Sequence, residues 1–289
     1  MVSKPLIVIV GPTASGKTAL AIDLAERFGG EIICADSRTV YKGMDIGTAK
    51  PTEEERARVS HWGLDLVEPD QRYTAADFKK YAEQKIIEIR SRGHIPFLVG
   101  GSGLYIDAVI FDYKFGDQAD EKLRRNLEKM SVNELQDYCR KNNIQLPEND
   151  KNKRYLVRAV EQKSINSRRN SEILNNAFIV GIATDKSELR RRIEQRANKI
   201  FEKGIVDEAK RLGNEYGWGH EAMTGNIYPL CREYLGGNLS IEEAKQKFIT
   251  QDWRLAKRQL TWFRRNKFIE WRAIPEAKER IISLLASEH

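Results

Sequence analysis

Near the N-terminus, Gly11-Pro12-Thr13-Ala14-Ser15-Gly16-Lys17-Thr18 matches G-x-x-x-x-G-K-[ST]. Glycines at the two ends of that pattern let the backbone wrap so that successive N–H groups point at phosphate oxygens. Lys17 then reaches the terminal phosphates, and the Thr18 hydroxyl is placed to hold Mg²⁺. A strand before the loop and a helix after it are required, and both are present in the pattern. The motif therefore predicts a bound di- or triphosphate, without saying which group is transferred. Two further groups are aimed at the same place. Asp36 follows Lys17 by one helix and one strand, which returns it beside the loop, as a Mg²⁺ ligand, a general base or a plain turn residue. Ser102, after a later strand, either donates to a phosphate or leaving group or caps the helix that follows.

These residues need a scaffold that brings three strand ends together. Leu6 to Val10 is a short apolar run that fits a buried parallel strand, and Ala19 to Phe28 has helical spacing closed by Gly29-Gly30. Ile32 to Ala35 and Ile95 to Val99 read as further strands, with a helix from Ala75 to Arg92 between them. Strands alternating with helices predict an α/β fold, a phosphate-loop parallel sheet flanked by helices, and ligands bind such sheets outside the carboxyl ends of the strands. From about Asp117 to Asn176 the chain turns charged, Asn-rich and helical. Phe178 to Ala183 then reads as another strand, and long helices are expected over Ser187 to Tyr216 and Ser240 to Arg265. The predicted organisation is a core in residues 1–116, a small all-helical insertion in 117–177, and a core continuation with basic C-terminal helices in 178–289.

Composition narrows the function classes. The 289 residues are 40% hydrophobic and 31% charged, with a net charge of +7. A mean hydropathy of −0.58 and apolar runs far short of a bilayer's span exclude a polytopic membrane protein. The N-terminal apolar stretch is too short for a signal peptide, and three widely spaced cysteines (Cys34, Cys139, Cys231) make neither a disulfide framework nor a zinc cluster. A cytoplasmic protein is expected, and a monomer. The charge is lopsided: residues 1–110 hold 14 Lys/Arg against 15 Asp/Glu, and the remainder hold 35 against 27. Arg254, Lys257, Arg258, Arg264, Arg265 and Lys267 form a purely basic stretch interleaved with Trp253, Trp262 and Phe263, and Arg190 to Arg192 with Arg196 and Lys199 form a second cluster. Such a face is either solvated or grips a nucleic acid, because phosphate contact with base stacking is what single-stranded nucleic acid needs.

The ordered set of motifs, Gly11 to Thr18, Asp36-Ser-Arg-Thr-Val-Tyr41, Lys42 to Pro51, Tyr73 to Phe78, Gly100-Gly-Ser-Gly-Leu-Tyr105, Arg192 to Arg196 and Ala256 to Arg264, resembles the bacterial tRNA dimethylallyltransferase (tRNA isopentenyltransferase) family. The resemblance is dense from residue 4 to about 110 and thinner from 187 to 265. It implies transfer of a dimethylallyl group from dimethylallyl diphosphate to N6 of the adenosine immediately 3′ of the anticodon, with the tRNA anticodon stem-loop as partner. By position it makes Asp36 the general base and Ser102, where the family usually has Thr, a hydroxyl near the transferring group. Gly11 to Thr18 would hold the diphosphate with Mg²⁺, joined by Arg196. Asp36, Ser37, Arg38, Thr39, Arg154, Arg158, Arg232, Lys257, Arg258, Gln259, Thr261, Trp262 and Arg264 fall on segments that contact tRNA in the family.

Departures concentrate in the RNA-handling parts. Leu230-Cys231 stands where the family usually has Gly-Tyr, Tyr155 and Trp253 stand where arginine is expected, and the insertion is short. Alternatives are an adenylate isopentenyltransferase using a free nucleotide, a small-molecule kinase, and an RNA-binding nucleotide switch. The first has no need of a basic aromatic helix. A kinase normally closes an apolar strand on an acidic residue, whereas Ile95 to Val99 closes on Gly100-Gly101-Ser102. A switch needs a base-specificity motif, and none is found. His61, His94, His220 and His289 lack metal-ligand spacing.

Overall fold

The computed structural model describes residues 4–115, 121–147, 149–161 and 170–287. The chain divides into two units, Met1–Ile110 with Glu172–His289, and Phe111–Ser171. These bounds differ from the 117 and 177 expected from composition because the chain rejoins the larger unit early: the Leu174 N–H donates to the Ile110 carbonyl at 2.8 Å, ahead of the next strand.

The larger unit is built on six parallel strands, β1 (Leu6–Val10), β2 (Gly30–Ala35), β3 (His61–Trp62), β4 (Ile95–Gly100), β5 (Ala177–Ile182) and β6 (Glu270–Arg272). Their order is β3-β2-β4-β1-β5-β6, so β1 lies between β4 and β5, with Val10 in register with both Gly100 and Gly181. Every β1 side chain is buried, as expected of an uninterrupted apolar run covered on both faces. Between β1 and β4 lie α1 (Lys17–Phe28), α2 (Glu53–Arg58) and α3 (Ala75–Ser91), and α4 (Gly103–Ile110) follows β4. Edge strands β3 and β6 escape a sequence reading, being only two and three residues long.

The smaller unit holds α5 (Glu121–Lys129), α6 (Val132–Lys141) and α7 (Lys153–Glu161) around Leu127, Leu135, Cys139, Leu156, Val157 and Val160. After β5 the larger unit continues with α8 (Lys186–Glu202), α9 (Ile205–Tyr216), α10 (Tyr228–Leu235), α11 (Ile241–Phe263) and, past β6, α12 (Ile274–Ala286). The stretch Ser187 to Tyr216, expected as one helix, is thus two. Gly204 at φ 89° breaks it, a left-handed conformation that glycine adopts without strain. No described helix is long and apolar enough to cross a membrane.

Candidate active site

Helices α2, α3, α6 and α11 each begin with a complete capping box, Thr52/Glu55, Thr74/Asp77, Ser131/Glu134 and Ser240/Glu243. Helix α1 does not. Its N-cap is Gly16 at φ 88°, with no side-chain cap and no acidic residue in the first turn. The first N–H groups and the positive end of the helix dipole are therefore left for an external anion. Gly16 is required there twice over, by its φ and because a Cβ would lie 2.8 Å from Ile274 Cδ1.

The loop is held from several sides. Lys17 Nζ donates to the Pro12 carbonyl at 3.1 Å, and the Arg192 guanidinium donates to the Ser15 carbonyl at 3.1 Å while bonding Glu188 at 2.7 Å. Burial pushes the Lys17 ammonium down to about 8, opposed by the nearby Asp36 carboxylate and assisted by Arg196. Lys17, Asp36 and Arg196 are therefore electrostatic neighbours, although Asp36 and Arg196 lie on different elements. Arg196 is itself ion-paired with Asp252 of α11, whose other oxygen accepts from Asn226 at 3.1 Å. The near-complete burial of Asp252 makes this pair a fixed part of the wall.

Asp36 follows the end of β2. Its Oδ1 accepts the Arg38 N–H at 2.9 Å, and its Oδ2 has no hydrogen-bond partner among the described residues. Ser102 Oγ accepts the Ser37 N–H at 2.9 Å, and the Ser102 N–H donates to the Ala35 carbonyl at 3.2 Å. Ser102 thus braces the turn that carries Asp36. Arg38 is engaged by the Glu221 carbonyl at 2.7 Å and by Thr224 Oγ1 at 3.2 Å, and the buried Thr39 hydroxyl donates to the Asp36 carbonyl at 3.3 Å.

A cavity of about 890 Å³ opens beside Ala14 and Gly16, walled by the 42–56 segment and by α8. Seven of its lining side chains are cationic, among them Lys50, Arg56, Arg192, Arg196 and Lys199, against the carboxylates of Asp45, Glu53 and Asp65. Its wall is pinned partly by residues that belong to no motif. Glu208 of α9, buried, accepts the N–H groups of Asp45, Ile46 and Gly47 at 2.9, 2.7 and 2.9 Å and the Tyr228 hydroxyl at 2.9 Å. Lys50 is buried against the Tyr41 carbonyl (2.7 Å), Asp45 (2.7 Å) and Asp65 (2.5 Å). Asp45 and Lys50 lie in the Lys42 to Pro51 motif, whereas nothing in the sequence marks Glu208, Asp65 or Asp252. Cys34, Cys139 and Cys231 are buried free thiols. Burial pushes Cys34 and Cys231 up to about 12, which leaves them inert as nucleophiles.

The outer face of α11 is different. Arg254, Lys257, Arg258 and Thr261 are exposed at helical spacing, Arg264 and Arg265 are exposed just past the end of the helix, and none of these cations makes an ion pair among the described residues. Lys257 Nζ lies 5.2 Å from the Trp253 ring centre. Gln259 and Trp262, expected within the same tRNA-contacting segment, turn inward: Gln259 bonds Thr13 and Gly101, and Trp262 Nε1 donates to Asp107 at 2.8 Å. Arg232 is exposed beside the Trp218 ring. In the smaller unit Arg154 is exposed and Arg158 lies 3.8 Å from Glu161.

Parallel strand order, an open-ended helix after a glycine loop and a carboxylate past the end of β2, one strand removed from β1, define a phosphate-loop protein of the α/β class. The family is more specific. The chain belongs to the IPP transferase family, whose model matches residues 39–266, and an isopentenyl transferase model matches residues 4–66. A tRNA dimethylallyltransferase of Streptococcus thermophilus is 39% identical, with 97% of this chain and 95% of that one covered, and one of Bacillus velezensis is 38% identical over 93% and 90%. The crystal structure of a tRNA isopentenylpyrophosphate transferase from Bacillus halodurans matches with a TM-score of 0.75 at 37% identity, covering 98% and 97% of the two chains. A eukaryotic dimethylallyltransferase acting on tRNA shares the fold at TM-score 0.78, with 23% identity.

Proposed function

We propose that this chain transfers a dimethylallyl group from dimethylallyl diphosphate to N6 of the adenosine immediately 3′ of the anticodon in tRNA. What supports the reading is the electrostatic coupling of Lys17, at the uncapped start of α1, to Asp36, whose Oδ2 has no hydrogen-bond partner among the described residues, together with a helix whose exposed cations make no ion pair among them. An adenine amine is a poor nucleophile, so a positioned carboxylate is useful as its charge develops. In the step proposed, N6 bonds to the allylic C1 as the C1–O bond to the diphosphate breaks. The N6 proton passes to Asp36 Oδ2, and the departing diphosphate is held by the α1 N–H groups and Lys17. Ser102 keeps the Asp36 turn in place.

Mg²⁺ takes one or two protein oxygens and completes its shell with phosphate and water. A dedicated cage is therefore unnecessary, and among the described residues no group of three His, Cys, Asp or Glu could form one. The Thr18 hydroxyl, which has no hydrogen-bond partner among the described residues, fits that demand. There the ion would neutralise charge on the leaving diphosphate.

Reaching N6 requires taking the base out of the anticodon-loop stack, which a grip on the backbone by Lys257, Arg258 and Arg264 supports. The reading implies a cytoplasmic enzyme, with one copy of the chain as the working unit. Incubation with dimethylallyl diphosphate, Mg²⁺ and unmodified tRNA should raise the mass of one anticodon-loop adenosine by one dimethylallyl group. Modification of AMP with none of tRNA would instead favour an enzyme of free nucleotides.

A further inference from the structure

The two substrates proposed above meet on separate elements, and one side chain spans them. Gln259 of α11 accepts the Thr13 N–H through Oε1 at 2.8 Å and donates from Nε2 to the Gly101 carbonyl at 3.1 Å. It thereby ties the phosphate loop, the β4 turn and α11 together across more than half of the chain. The glycines of that turn make the seat. A Cβ on Gly101 would lie 2.4 Å from Gln259 Nε2, and one on Gly103 would lie 2.3 Å from the Trp262 ring. Both polar ends of the Gln259 amide are thus engaged inside the protein, while its neighbours Lys257 and Arg258 point to solvent.

We infer that Gln259 is a positioning residue that couples the seating of RNA on α11 to the diphosphate cradle, rather than a contact to RNA. The inference rests on the proposed transfer to tRNA. RNA phosphates held by Lys257 and Arg258 fix the turn of α11 that carries Gln259. The amide passes that constraint to Thr13, inside the loop, and to Gly101, next to the Ser102 that braces the Asp36 turn. Coupling of this kind is reciprocal: tRNA tightens the donor by the factor with which the donor tightens tRNA.

The test uses the full chain and two variants. Gln259→Met keeps the side chain's length and removes both hydrogen bonds. Gln259→Glu keeps the acceptor for Thr13 and loses the donor to Gly101. Binding of a dimethylallyl thiodiphosphate analogue, whose C–S bond resists cleavage, is measured with and without saturating tRNA, alongside tRNA affinity and donor KM. In the parent protein tRNA should tighten the analogue about tenfold. Q259M should abolish that factor and raise donor KM about tenfold, with tRNA affinity within about twofold of the parent's. Q259E should recover part of both. Thermal unfolding identifies a variant that fails to fold, and Q259E, which retains the Thr13 bond, then carries the test by an intermediate coupling factor. Weaker tRNA binding at unchanged donor KM would overturn the inference in favour of an RNA contact, as would a parent protein without coupling. A parent that leaves tRNA unmodified overturns the functional reading and this inference together.

Discussion

The phosphate loop and the outer face of α11 are both cationic, yet they are built in opposite ways. Around the loop the engaged cations are partly or wholly withdrawn from water: Arg192 on Ser15 and Glu188, Arg196 on Asp252, and the buried Lys50 on Asp45 and Asp65. On α11 the cations stand in water without ionic partners among the described residues. The difference teaches which interactions can carry precision. In a dry wall, each charge acts at low effective dielectric and costs little reorganisation during the reaction. On a wet face, charges provide affinity and steering that salt screens, and each is individually replaceable.

Three substitutions or titrations would break or sharpen that contrast. The largest effect belongs to Asp36→Asn, which keeps an oxygen for the Arg38 N–H and removes the base. Turnover should fall about 10³-fold, with tRNA affinity unchanged in a filter-binding measurement. Loss of tRNA affinity at normal turnover would move Asp36 from the buried chemistry to the RNA grip. Next comes Lys257→Ala with Arg258→Ala. tRNA binding should weaken about tenfold, and the slope of log affinity against log salt should become shallower by about 1.5, while single-turnover chemistry at saturating tRNA stays at the parent rate. An unchanged slope would show that these cations do not meet phosphate. The smallest is the pH response of Lys17. Its free ammonium is held down to about 8 by burial, so the charged form is lost as pH rises through 8. The value of kcat/KM for the donor should therefore fall about twofold from pH 7 to pH 8 and about tenfold per unit well above it. A flat profile over that range would place Lys17 outside donor capture.

The loop and its flanking elements were legible because their logic is local. An apolar run, a glycine turn and Lys17 lie within a few residues of one another, and backbone geometry does the rest. The positions of Asp36 and Ser102, just past the ends of β2 and β4, were legible from topology, since parallel strands deliver their ends to one edge of the sheet. Gln259 and Trp262, carried over by resemblance as part of a tRNA-contacting segment, bond Thr13, Gly101 and Asp107. They lie on the stripe continued from Phe248, Asp252 and Ala256, all buried. A resemblance carried by segment does not say which way each residue of a helix turns. Glu208 and Asp252 were not legible at all. A carboxylate on a charged helix has no local mark of burial, and its partners are distant in sequence: Gly47 is 161 positions from Glu208. The fracture of the α8–α9 region at Gly204 was readable only by giving one glycine more weight than a long helical period.

The backbone N–H groups of Asp45, Ile46 and Gly47 converge in a concave nest of the kind that captures inorganic anions. Glu208 already sits in it. The protein has in effect plugged its own decoy, so that free phosphate or sulfate has no welcome on that wall. Of these two clusters of backbone N–H groups, it is the start of α1 that stays open to such ions.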